Sequence, residues 1–194
     1  MIRRLFKRSD KGASLVEASI LLPLLIVLVL GLAEVGFLVI DYLTVSSAAR
    51  EGARTGAAAA TYVDPITGDD ADDLILESVE EAACNLEFGI LLEVSIFKAD
   101  DDGEPVGPAF TNLYEPITEG VLVCGGDPPA SGLECTNGCP WTPDLRDRVP
   151  PIFDVIGVNV LFEHHDVTGL FPFPTINWSE TAIMQIEPDT RGSQ

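Results

Sequence analysis

The sequence predicts an α+β protein: a long N-terminal transmembrane helix continuing into a small head with one further helix and a mostly antiparallel sheet. Three observations carry that reading. Residues 13–40 form an apolar run interrupted by Glu17 and Glu34, long enough to cross a bilayer. Residues 70–87 place apolar side chains at helical spacing. From Leu91 onward, β-rich stretches alternate with Gly, Pro and Asp clusters, the pattern of strands and turns.

The first helix is expected over 13–60. It contains one proline, Pro23, which removes a backbone donor and crowds the carbonyl of Ser19, so a mild kink is expected. At 1.5 Å per residue such a helix is about 72 Å long, and roughly 20 residues suffice for the hydrocarbon. The remainder projects as a stalk. Thr44, Ala48, Gly52, Gly56 and Ala60 recur every four residues along it. Small residues on one face permit close approach, and the stripe lies beyond the expected membrane edge. Packing of Ala48, Gly52 and Gly56 on the protein's own head is therefore expected.

The leader MIRRLFKRSDKG holds Arg3, Arg4, Lys7, Arg8 and Lys11 against a single acid, Asp10. The positive-inside rule places this end in the cytoplasm and Asp41 onward outside. A basic leader ending at Gly12, followed by Ala13 and by Glu17 in the apolar run, is the layout of a prepilin cut before its apolar segment. A secretory signal has a shorter apolar region and is cut after it; an uncleaved anchor is the other alternative. Without residues 1–12, six basic and thirty acidic residues remain, a formal charge of −24. Such a head does not bind nucleic acid by phosphate neutralisation and opposes adhesion to anionic lipid heads.

Three regions follow: leader 1–12, transmembrane and stalk helix 13–60, and extracytoplasmic head 61–194. In the head, a turn-rich acidic link, 61–73, leads into a helix over 70–87. Leu74, Ile75, Val79, Ala82, Ala83 and Leu86 are expected on one side, with Glu77, Glu80, Glu81 and Glu87 on the other. Asp70, Asp72 and Asp73 suit its N-terminal dipole. Strands are expected at 91–98, 106–113, 120–124, 155–162 and 181–186, with Pro108 marking an edge. A Gly-, Pro- and Cys-rich loop is expected over 125–151.

Gly12-Ala-Ser-Leu-Val-Glu17 and the apolar helix after it, Ala48-Ala-Arg-Glu-Gly-Ala-Arg54, and the closing segments around Gly157–Val160, His164, Leu170-Phe171 and Ser179–Pro188 together resemble the TadE-like family of minor pilins, or pseudopilins, of tight-adherence pilus systems. The resemblance implies cleavage after Gly12 by a prepilin peptidase and retention in the inner membrane. It also implies contact with membrane lipid and with other pilin or pseudopilin subunits, a part in building a pilus, and no catalysis. Processing then rests on Gly12, Ala13 and Glu17, the new amine of Ala13 pairing with the Glu17 of a neighbour. An acid inside a membrane helix is functional by default. The alternative is a single-pass protein whose head binds a ligand or partner without polymerising.

The four cysteines, Cys84, Cys124, Cys135 and Cys139, lie in a segment expected to be exported, which suggests two disulfides. Cys124–Cys135 with Cys84–Cys139 is the expected pairing among three possible ones; a zinc site is the alternative, although no CxxC pair is present. His164-His165-Asp166 reads as a polar turn at a strand end, since adjacent histidines face opposite sides of a strand. Glu34 is expected at the outer headgroups as a solvated acid. Asp100, Asp102 and Glu104 around Gly103 read as a hairpin tip, with weak calcium binding as the alternative. No cofactor is expected, and no nucleophile elbow, phosphate loop or HExxH motif is present.

Overall fold

The computed structural model describes residues 10–66, 68–86, 88–117, 132–149, 152–169 and 175–188. Helix α1, Asp10–Ala59, is continuous through Pro23. Its lower part stands free: an 18-residue stretch of mean hydropathy 2.6 is 0% buried, and Leu15, Ile20, Leu24, Leu28 and Leu32 are all exposed. The composition that makes this segment apolar all round, rather than amphipathic, is what suits it to lipid.

Helix α2, Ala71–Ala83, starts at a capping box. Asp70 accepts the N–H of Asp72 at 2.7 Å, and Asp73 accepts the N–H of Asp70 at 2.7 Å, which satisfies donors that a helix start leaves open. The helix ends earlier than its periodicity suggests. Asn85 and Leu86 bond back to Ala82 and Ala83 in a tightened turn, and Cys84 is held by a disulfide. Leu76 lies in the core where Leu74 was expected, and Glu80 is buried rather than solvated.

Strands β1 (Gly89–Ala99), β2 (Thr111–Pro116), β3 (Leu133–Cys135), β6 (Val155–His164) and β7 (Ile176–Gln185) form one antiparallel sheet in the order β3-β2-β1-β6-β7. The register shifts between Leu91 and Glu93. A small ladder joins β4 (Arg148–Val149) to β5 (Ile152–Phe153). The return strand expected over 106–113 is displaced toward 111–116. Val106 still bonds to Lys98 as part of a longer hairpin, and Pro108–Phe110 form a 3-10 turn. Pro108 therefore precedes β2, which is an inner strand. The last strand begins at Ile176, five residues before its expected start. The strand expected over 120–124 lies outside the described residues.

The two helices cover one face of the sheet. Even-numbered β6 residues Ile156, Val158, Val160 and Phe162 are buried against Val45, Ala48, Ala49 and Ala53 of α1 and Ile75 and Val79 of α2. Close approach is possible because Gly52 and Gly56 lack side chains. A Cβ at Gly52 would stand 2.6 Å from Val79, and one at Gly56 would stand 2.8 Å from Ile156 and 2.9 Å from Ile75. The small-residue stripe thus meets its own head, as expected. On the opposite face, Phe97 lies over Gly157, where a Cβ would come within 2.4 Å of the ring.

Candidate functional site

Gly12 and Glu17 lie on the freely exposed beginning of α1. Ala13 is helical there, and its side chain lies outside the described set. Glu17 is exposed, so its carboxylate faces outward from an apolar helix. The same helix then changes character within one heptad.

Glu34 is 8% exposed and Asp41 0% exposed. Seven residues apart, they share one helix face. Glu34 accepts the N–H of Val167 at 2.7 Å and that of Thr168 at 3.3 Å. Asp41 Oδ2 lies 2.8 Å from His164 Nδ1. Phe37 meets Phe88 at 4.5 Å, and Tyr42 meets Trp178 edge-on at 5.6 Å. The base of the head is therefore latched to α1 by two acids and two aromatic contacts. This corrects two expectations. Glu34 is not a solvated acid, because the segment after β6 returns to it with two backbone donors. Of the polar turn read at the strand end, His165 and Asp166 are exposed, but His164, the last residue of β6, is buried. Asp41 Oδ1 and His164 Nε2 have no partner among the described residues.

A second buried network holds the loop after β3. Asp72 pairs with Arg146 and accepts from Asn112 at 2.7 Å and from the Tyr114 hydroxyl at 2.8 Å. Arg146 also donates to the carbonyls of Ala60, at 3.2 Å, and Trp141, at 3.1 Å, and stacks over the Trp141 ring. Trp141 is 0% exposed, and Asn112 Oδ1 accepts its backbone N–H at 2.9 Å. Burial, then the neighbouring Asp72 carboxylate, pushes the Tyr114 hydroxyl well above its ordinary range. Desolvation pushes Glu80 up to about 7, the Glu77 charge adding to it and a backbone hydrogen bond from Gly132 opposing it. Removing one partner of the buried Asp72–Arg146 pair would leave the other charge uncompensated, which is costly.

The disulfide pairing differs from expectation. Cys135 bonds Cys139, which removes both expected pairs at once. The turn between them brings the ends together: Asn137 accepts the Cys139 N–H at 3.1 Å, and Cys139 itself takes a left-handed φ of 41°. Cys84 is disulfide-bonded too; Cys124 lies outside the described residues. At the hairpin tip, Asp100 Oδ1 accepts the N–H groups of Asp102, at 3.0 Å, and Glu104, at 2.9 Å. One of the carboxylates considered for calcium is thus engaged with its own turn. No group of three or more ligating side chains is gathered among the described residues.

The stripe Ala48, Gly52 and Gly56 was legible as packing. The Glu34 and Asp41 latch was not, although two acids seven apart on one apolar helix face were a signal for it. No curated protein and no solved structure matches the chain. Residues 12–54, which run from Gly12 through the exposed helix and the latch to the glycine stripe, match the family model described as TadE-like protein.

Proposed function

We propose that this protein is a pilin-like assembly subunit of a tight-adherence pilus, cut after Gly12 by a prepilin peptidase and held in the inner membrane by the exposed part of α1. Its N-terminus faces the cytoplasm and its acidic head the outside. The observation that carries the reading is the division of α1. Above Glu34 its small-residue face is used by its own head, whereas from Leu15 to Leu32 it has no buried apolar face against the described residues. An apolar helix free on all sides needs lipid or neighbouring helices. Glu17, carried at its start, is an acid costly to leave in hydrocarbon without a partner. The Ala13 amine of a neighbouring subunit is that partner. The protein does no catalysis and needs no cofactor; its partners are the peptidase, other pilus components and lipid.

The test is the N-terminal residue of the protein purified from its host. The expected mature chain starts at Ala13, and Gly12→Leu leaves the precursor whole. A native protein still beginning at Met1 in a host with the peptidase removes this function. Glu17→Ala is expected to insert normally, since losing a buried acid eases insertion, and to lower the number of surface pili.

A further inference from the structure

The strand β7 ends the sheet with an edge that no strand among the described residues pairs with. It is ten residues long, Ile176–Gln185, and pairs with β6 along its whole length without a register break. Alternate residues therefore turn their N–H and C=O groups away from β6. Proteins usually blunt such edges with lysine, proline, a bulge or shortness. Here the sequence INWSETAIMQ has no proline, no lysine and a single charge, Glu180. The opposite edge, β3, has three residues and is tied by the Cys135–Cys139 disulfide. Apolar side chains stand exposed on both faces of β7: Trp178 (36%) and Met184 (37%) on one, Ile183 (47%) on the other.

The edge also lies where a partner can reach it. β7 runs beside the stalk, from the Tyr42–Trp178 contact to the bond between the Glu187 N–H and the Ala57 carbonyl at 3.0 Å. That stretch of α1 begins beside the exposed Val39, Ile40 and Leu43 and runs on past them. Charge selects the occupant. Residues 13–194 carry a formal −24, so a second copy is repelled, and a cationic chain is drawn in.

We propose that the β7 edge receives, by strand addition, an extended segment of a partner protein that is apolar at alternate positions and carries net positive charge. Backbone bonds supply the affinity, and Trp178, Ile183 and Met184 supply the side-chain contacts. The proposal does not depend on cleavage at Gly12.

The test uses the full chain in detergent micelles and two synthetic decapeptides, one alternating valine with lysine and one alternating valine with glutamate. Amide hydrogen exchange is followed residue by residue. The lysine peptide is expected to slow exchange at alternate amides of 176–185. Ile183→Lys and Met184→Lys, both at exposed positions, are expected to weaken its binding by about threefold or more, since like charges across a strand pair repel, with protection of the β6-facing amides retained. Three results overturn the proposal: no slowing in β7 at saturating peptide, equal slowing by the glutamate peptide, or protection scattered over the acidic surface outside β7. Protection of β7 that rises with protein concentration and without peptide also overturns it, by making a second copy the occupant.

Discussion

At the residue scale, Gly52 and Glu80 show how little tolerance the head has. The Cβ of any residue at 52 would stand 2.6 Å from Val79 and 3.3 Å from Val158. Gly52→Leu is expected to lower stability by about 1–3 kcal/mol through overpacking, read as the unfolding midpoint of the full chain in detergent. An unchanged midpoint would show that α2 can slide away from the stalk. Glu80 tests burial through pH. Its carboxyl titrates near 4.5 when exposed and near 7 in the fold, so the folded state holds the proton more tightly. The stabilisation from that proton is complete below about pH 4.5 and is lost as pH rises through about 7. Glu80→Gln keeps a neutral side chain at every pH. The stability of the variant relative to the parent is therefore expected to rise between those limits and then level off. A difference that is flat with pH refutes the burial account.

At the element scale, the boundary on α1 decides how the protein behaves. Below it the helix is exposed and apolar enough to cross a membrane, and above it the helix is a layer of the head. Glu34→Ala removes the acceptor for two backbone donors, whose loss costs about 1–3 kcal/mol when they stay buried. Exchange at Val167 and Thr168 is expected to quicken, while β6 amides from Ile156 to Val160 stay protected. If Val167 and Thr168 do not respond, the latch has no energetic role. Periodicity located both helices and placed the stripe correctly. It missed the latch because the donors to Glu34 and the imidazole beside Asp41 come from residues more than 120 positions away. It displaced β2 for a local reason: Val106 belongs to a hairpin extension, and the 3-10 turn at Pro108 delays the strand.

At the scale of the whole molecule, charge and topology work against each other. The acidic head repels itself, while Asp72–Arg146 and Lys98–Asp154 pair opposite charges within it. Salt screens exposed charges over about 10 Å at 0.1 M and reaches buried pairs much less. The unfolding midpoint is therefore expected to rise as ionic strength increases from about 0.01 M to about 0.15 M; a fall would show that self-repulsion does not limit the stability of the head. The division of labour between sequence and structure follows from the range of the forces involved. Composition and period alone determined the long apolar helix, the acidic head, the α+β class and the stripe, because each depends on hydropathy or spacing within a few turns of chain. Only the tertiary structure decided that Cys135 bonds Cys139, that Asp72 meets Arg146, that Glu34 and Asp41 hold the head, and that β7 is left as a bare edge. Those outcomes depend on which distant segments the sheet brings together. A buried acid or an open strand edge has no local signature until its neighbours are in place.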